Sequence, residues 1–169
     1  RYSRTWVLRE CDASLQRLGM DQVDIYYLHR DFNGMDLEEP LRAIEALLRA
    51  DKIRYWGLSN FRGWRIAEMV HLARQLNMPG PVVCQPYYNL LNRQPEVEVL
   101  PACHHHGIGV VPYSPIARGV LAGKYAPGVK PAGPATTSSR KARRRTACDR
   151  AVRARRVWFS WGVIVSMFR

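Results

Sequence analysis

The sequence predicts an α/β protein, a partial (β/α)8 TIM barrel of about four βα units, followed by a basic C-terminal stretch that does not continue the pattern. Three observations carry that prediction. Helix-patterned stretches alternate with short β-rich ones in the order αβαβαβαβ, which implies a parallel sheet. Most of the β-rich stretches are apolar at consecutive positions, as strands covered on both faces are. Each of them ends in a polar or aromatic cluster, at His29, Ser59-Asn60, Gln85 and Tyr113-Ser114, and successive ends lie 30, 26 and 28 residues apart. One unit of an eight-fold barrel is about that long, and the C-terminal strand ends of such a barrel face a single site. A doubly wound open sheet is the competing architecture, with its ligands at the same strand ends.

The elements follow in order. Leu8, Cys11, Leu15 and Leu18 have the 3-4-3 spacing of an amphipathic helix, which Gly19 can end. Residues 23–29, VDIYYLH, read as a strand. Asp36 can cap a second helix with Glu38, Glu39 and Pro40 in its first turn and an apolar stripe of Leu41, Ile44, Leu47 and Leu48. Residues 52–60 read as a strand and turn, and 63–77 as a helix with Ile66, Met69, Val70, Ala73 and Leu76 on one face. Residues 81–85 form a third strand, 94–107 a helix despite Pro101, and 107–114 a fourth strand.

The 169 residues suffice for one domain with a real core. The net charge of +12 is unevenly spread: residues 1–128 hold 15 Lys/Arg and 13 Asp/Glu, whereas residues 129–169 hold 11 Lys/Arg and the single acid Asp149. The body is nearly neutral, so any partner inferred from charge belongs to the tail. Cys11, Cys84, Cys103 and Cys148 lack C-x-x-C spacing, which predicts reduced thiols and a cytoplasmic protein. No stretch has the apolar length of a transmembrane helix, and no signal pattern opens the chain.

Two motifs point elsewhere and fail on their own requirements. His29-Arg30-Asp31 spells the kinase catalytic triplet, and Asp31-Phe32-Asn33-Gly34 nearly spells the metal-binding one. The two overlap, so one aspartate would serve as base and metal ligand at once; Asp36 stands where Asn is needed, and no glycine-rich loop exists. The run Cys103-His104-His105-His106 invites a metal reading, but adjacent helical residues point in different directions, and no metal is expected.

Four stretches, LRECDASLQRLGMDQVDIYYLH, IRYWGLSNF, CQPYYNLLNR and GIGVVPYSPIARGVLAGKY, resemble in this order the aldo-keto reductases, in particular the bacterial and potassium-channel-β-like branch. The resemblance spans about residues 5–128. It implies a (β/α)8 barrel that binds NADP(H) and reduces small carbonyl substrates. His29 matches the active-site histidine, which can donate a hydrogen bond to the carbonyl oxygen. Ser59, Asn60 and Gln85 match the residues that bind the nicotinamide carboxamide, a group with both donors and an acceptor. Tyr113 matches the aromatic stacked on the nicotinamide ring. Ser114, Pro115, Ile116, Ala117, Arg118 and Gly119 match the pyrophosphate loop, and Lys124 a basic residue on the phosphates. Arg30 matches an arginine of one branch, whereas Asp31 replaces the proline often found there. Tyr26, Tyr27, Tyr87 and Tyr88 read as wall or core aromatics.

The family's proton-donating tyrosine and its lysine and aspartate partners have no matching stretch in this chain, so the chain is expected to be inactive as it stands. Residues 129–169 depart from the family as well. Their lack of apolar period reads as a disordered segment or an out-of-frame translation of a G·C-rich gene. Two other readings stay open: a cofactor-binding regulatory subunit without turnover, and nucleic-acid binding or targeting through RKARRR, the less favoured of the two.

Overall fold

A computed structural model of the chain describes residues 2–32, 34–123 and 164–166. The chain divides into two units, Arg1–Arg118 with Gly162–Arg169, and Gly119–Trp161. Of the second unit, residues 119–123 are described, and they form two turns closed by Ala122 N–H on Gly119 O and Gly123 N–H on Val120 O, each 3.2 Å.

The first unit runs α1 (Arg4–Leu18), β1 (Val23–Leu28), α2 (Glu38–Arg49), β2 (Ile53–Ser59), α3 (Gly63–Gln75), β3 (Val83–Gln85), α4 (Val99–His106), β4 (Gly109–Val110) and β5 (Ile164–Ser166). All strand pairs are parallel, in the order β4-β3-β2-β1-β5. From β1 to β4 each strand lies beside its predecessor. That succession of β1 to β4 is what one arc of a barrel requires. The short β5 lies along the other edge of β1, within the stretch read from sequence as a tail; the rest of 129–169 lies outside the described residues.

Local chemistry sets the helix ends. Ser3 Oγ accepts from Trp6 N–H at 3.3 Å to open α1. Gly19 closes it in the left-handed region (φ 65°), the conformation glycine adopts without Cβ strain. The buried stripe of α1 is Val7, Cys11, Ser14 and Leu15, so it is shifted from the predicted one, and Leu18 is exposed. Asp36 Oδ1 accepts from Glu38 N–H at 2.9 Å, capping α2 from two residues before its first residue. Leu41, Ile44 and Leu47 are buried as predicted, with Leu48 packed against them.

Two predicted elements change. The helix expected over 94–107 is a 3-10 turn, Gln94–Glu96, followed by the separate helix α4. Pro101 decides this. Inside a helix it removes a bond and clashes with the preceding turn, whereas in the first turn its missing N–H has no partner to lose. The helix therefore starts at Val99. The strand expected over 107–114 is only Gly109–Val110, and both residues are exposed. Pro112 has no N–H to give, yet Val111 and Tyr113 on either side of it still donate to Cys84 O (2.9 Å) and Pro86 O (3.0 Å).

The helices cover one face of the sheet. Tyr26, Leu28, Trp56, Leu58 and Cys84 are fully buried there against residues such as Cys11, Ile44, Met69 and Cys103. Cys11, Cys84 and Cys103 are free thiols, as the cysteine spacing predicts. On the other face, Gly57 lies between Tyr27 and Val83, and a Cβ there would stand 2.7 Å from Val83 Cγ1 and 2.9 Å from Tyr27 Cε1. Tyr27 thus occupies the space that a larger residue at 57 would need. Among the described residues no helix is long and apolar enough to cross a membrane.

Candidate active site

The register of the sheet sets which strand ends meet. β1 pairs with β2 at an offset of 30 (Val23 with Ile53), and β2 with β3 at 26 (Ser59 with Gln85). Continuing the first offset by one residue brings His29 level with Ser59. By this register His29, Ser59 and Gln85 lie level at neighbouring strand ends. β3 pairs with β4 at 26 and not 28 (Val83 with Gly109). Tyr113 consequently stands beside Tyr87, one pleat beyond Gln85.

Asn60 ties the row together. It follows the last residue of β2 in the left-handed conformation (φ 57°), which asparagine tolerates better than most residues. Its Nδ2 donates to His29 O and to Ser59 Oγ, both at 3.0 Å. Its Oδ1 accepts from the Tyr113 hydroxyl at 2.8 Å. Ser59 is buried, and its Oγ donates to Gln85 O at 2.8 Å. Four strand ends thus meet through one carboxamide and one hydroxyl.

The side-chain amide of Gln85, half-buried, has no hydrogen-bond partner among the described residues. Tyr113 is 38% exposed and is held from two sides, by Asn60 at its hydroxyl and by Tyr87, whose ring centre lies 5.3 Å away. Burial, then the neighbouring Tyr87, raises the Tyr113 hydroxyl above its ordinary pKa, and Arg30 works the other way, so the hydroxyl stays protonated at neutral pH. His29 is half-buried at the end of β1. Burial, then the charge of Arg30, holds its imidazole below the ordinary 6.5. At neutral pH it is an uncharged ring with one N–H donor, suited to hydrogen-bonding a carbonyl oxygen.

Beyond Tyr113 the backbone turns repeatedly into the left-handed region, at Ser114 (φ 57°), Ala117 (φ 45°) and Arg118 (φ 58°). Ala117 N–H closes on Ser114 O at 3.0 Å. Such turns gather N–H groups on a concave side, which favours anions. Pro115 and Ile116 lie at the exposed outside of this loop. Gly119 (φ 99°) belongs to the second unit, and Lys124 lies outside the described residues.

Sequence reasoning missed the supports of the site. Asn89, which is buried, donates from Nδ2 to Ser114 O at 3.1 Å and accepts on Oδ1 from Leu91 and Asn92 N–H. Tyr87 backs Tyr113. Tyr2 Oη accepts from Arg30 N–H at 2.9 Å. A constant offset of 26 from the third to the fourth strand was the signal that could have found the Tyr87–Tyr113 pair; counting from strand end to strand end hid it.

The sequence pattern of the aldo/keto reductase family matches residues 1–163. A probable voltage-gated potassium channel subunit beta of Arabidopsis thaliana is 41% identical over 130 residues, which are 76% of this chain and 40% of that protein. Human aflatoxin B1 aldehyde reductase member 2 is 39% identical over 119 residues, 70% of this chain and 33% of that protein. L-glyceraldehyde 3-phosphate reductase of Escherichia coli K12 is 36% identical over 128 residues, 75% and 37%. The chain therefore spans about two fifths or less of the length of these relatives. With four consecutive parallel strands, each preceded by a helix, a row of polar strand ends and a family match over nearly its whole length, the chain belongs to the aldo/keto reductase family.

Proposed function

We propose that this chain forms the nicotinamide-binding, carbonyl-orienting wall of an NADP(H)-dependent oxidoreductase that reduces aldehydes or ketones to alcohols. The meeting of His29, Ser59 and Tyr113 on Asn60, with Gln85 joined through Ser59, carries the reading. The residues fit the cofactor. Gln85 offers an amide without a partner among the described residues, Tyr113 an open and immobilised ring, and residues 114–118 a backbone turned to favour phosphate. Both N–H groups of Asn60 are already engaged, so Asn60 and Ser59 exchange a bond with each other for a bond to the carboxamide.

When bound, the reduced nicotinamide supplies the hydride. His29 donates its N–H to the substrate oxygen, fixing the carbonyl's direction and stabilising the negative charge that grows there. Tyr113 presents a flat apolar surface and Gln85 fixes the ring's orientation by its amide. The proton that completes the alcohol has no assigned donor in this chain, which on this reading binds cofactor without turning over. The names of the relatives divide in the same way, between reductases and channel β subunits. A regulatory role would use the same wall.

The test compares two variants in a protein that joins this chain to the remaining barrel strands of a relative. Tyr113→Ala weakens NADPH binding by about 1–3 kcal/mol, the scale of a lost stacking surface. Gln85→Ala weakens it by about 1 kcal/mol, one hydrogen-bonding partner. Unchanged affinity in both removes the nicotinamide assignment. Aldehyde-dependent NADPH oxidation by the 169-residue chain itself, abolished by His29→Ala, would show that another hydroxyl here donates the proton.

A further inference from the structure

The segment after His29 is fastened more heavily than a surface loop requires. Arg65, in the first turn of α3, is a buried arginine, with its side chain 10% exposed and that of its partner Asp31 8% exposed. Its Nε donates to Asp31 Oδ1 at 3.2 Å, its Nη2 to Met35 O at 2.7 Å, and its Nη1 to Glu68 Oε2 at 2.8 Å. One planar guanidinium therefore grips the segment at its beginning, through Asp31, and near its end, through Met35. Burial opposes the charged guanidinium, but the bonds to Glu68 and Asp31 outweigh it and raise its pKa further. Asp31 N–H also reaches Asn60 O at 3.4 Å, and Arg30 N–H is held by Tyr2. The same residues wall a cavity of about 380 Å³ formed by Asp31, Phe32, Met35, Asp36, Trp64 and Arg65, with Gly34. Phe32 and Met35 pack against the core, Phe32 edge-on to Tyr2 with ring centres 5.6 Å apart, and the bonds to Arg65 add a polar clamp to that packing.

We propose that Arg65 is a positioning residue for His29. By clamping Asp31 and Met35 it keeps the end of β1 in register with Ser59 and Asn60, so that the imidazole is presented at one height and one angle. The inference rests on reading His29 as the residue that orients the carbonyl. It concerns a departure from the family pattern, because Asp31 stands where the family often has proline. Lysine could not replace the clamp, since a point charge has no planar fork to hold a carboxylate and a carbonyl together.

The test uses the full chain without cofactor and reads the folded state by NMR, so it succeeds or fails independently of nicotinamide binding. The His29 ring signal is identified by its loss in His29→Ala. In Arg65→Met that signal moves or broadens, and the amides of Arg30 and Asp31 exchange with solvent about tenfold faster or more, whereas amides within β2 keep their protection. Arg65→Lys restores Asp31 amide protection in part and leaves the His29 ring signal displaced. If Arg65→Met does not fold, Asp31→Asn is read instead; it keeps an acceptor for Nε but loses the charge, and it shifts the same signals by less. A folded Arg65→Met chain of lower stability with an unaltered His29 ring signal overturns the proposal, because the arginine then supports the fold alone. Failure of both variants to fold overturns it equally.

Discussion

The two faces of the sheet are built from the same strands and do opposite things. On the helix-covered face, Tyr26, Leu28, Trp56, Leu58 and Cys84 are fully enclosed in one apolar cluster. On the other face, by the strict alternation of a strand, lie Tyr55, Tyr27, His29, Ser59, Gln85 and Tyr113. Tyr55 is 53% exposed and Tyr113 38%. Polar groups on this face are joined to one another by hydrogen bonds, and the Gln85 side-chain amide, without a hydrogen-bond partner among the described residues, and the open ring of Tyr113 stand among them. The first face accounts for why the segment folds; the second carries the residues proposed to bind the cofactor. The division explains why fold and candidate site come from different kinds of residue on neighbouring positions of one strand, such as Leu58 and Ser59; the same alternation separates buried Trp56 from exposed Tyr55.

That pair gives the largest expected contrast. Trp56→Ala removes a fully buried ring and the bond from Nε1 to Pro79 O (2.8 Å), and should cost about 3–5 kcal/mol. Tyr55→Ala, one residue away on the open face, should change stability by no more than about 1 kcal/mol. Denaturant unfolding of both variants measures the difference. Equal losses would mean that the two faces are equally buried and that the division drawn between them is wrong.

Much of this division was legible in the sequence. The strands showed as apolar runs, the helix stripes of Leu41, Ile44 and Leu47 and of Ile66, Met69, Val70 and Ala73 are buried as their spacing predicts, and the polar strand ends fall on one edge. The resemblance then supplied roles that spacing alone does not give. What stayed hidden depends on contacts between distant residues. Nothing in the sequence shows that Arg65 leaves solvent to bind Asp31, 34 positions earlier, because an isolated arginine on a helix normally stays wet. The Tyr87–Tyr113 contact needed the register between two strands, which Pro112 obscures. The break of the 94–107 helix was legible, since Pro101 favours a first turn over an interior.

Acid should act more gently than loss of the tryptophan. The pKa of His29 is held below 6.5 by burial and then Arg30, and that of His106 by burial and then the neighbouring His105, Arg74 and His71. In both cases the unfolded chain binds a proton that the folded chain resists. Their stabilising contribution is complete above pH 6.5 and is lost as pH falls through that value and on through the lower folded ones. Stability measured from pH 7.5 to 5 should therefore fall, and His29→Gln with His106→Gln should flatten the slope. A slope unchanged in the double variant would assign the acid sensitivity to other groups.

The smallest effect is expected at Tyr27. Its hydroxyl is buried with no hydrogen-bond partner among the described residues, and burial, then Cys84, pushes it up to about 12. Removing an unsatisfied buried hydroxyl costs nothing in lost bonds. Tyr27→Phe should be neutral or stabilise by up to about 1 kcal/mol. A clear loss of stability would mean that the hydroxyl is bonded and that the open face is more completely covered than the division allows.

The central claim, that the open face is a nicotinamide-binding wall, is tested most directly by titrating the isotopically labelled chain with NADPH and following its amide and side-chain NMR signals. The account predicts shifts concentrated at Asn60, the Gln85 side-chain amide, Tyr113 and residues 114–118, with the signals of Leu28, Leu58 and the α2 stripe unmoved. Saturating NADPH that leaves the Gln85 and Tyr113 signals in place, or moves only signals elsewhere in the chain, would contradict it.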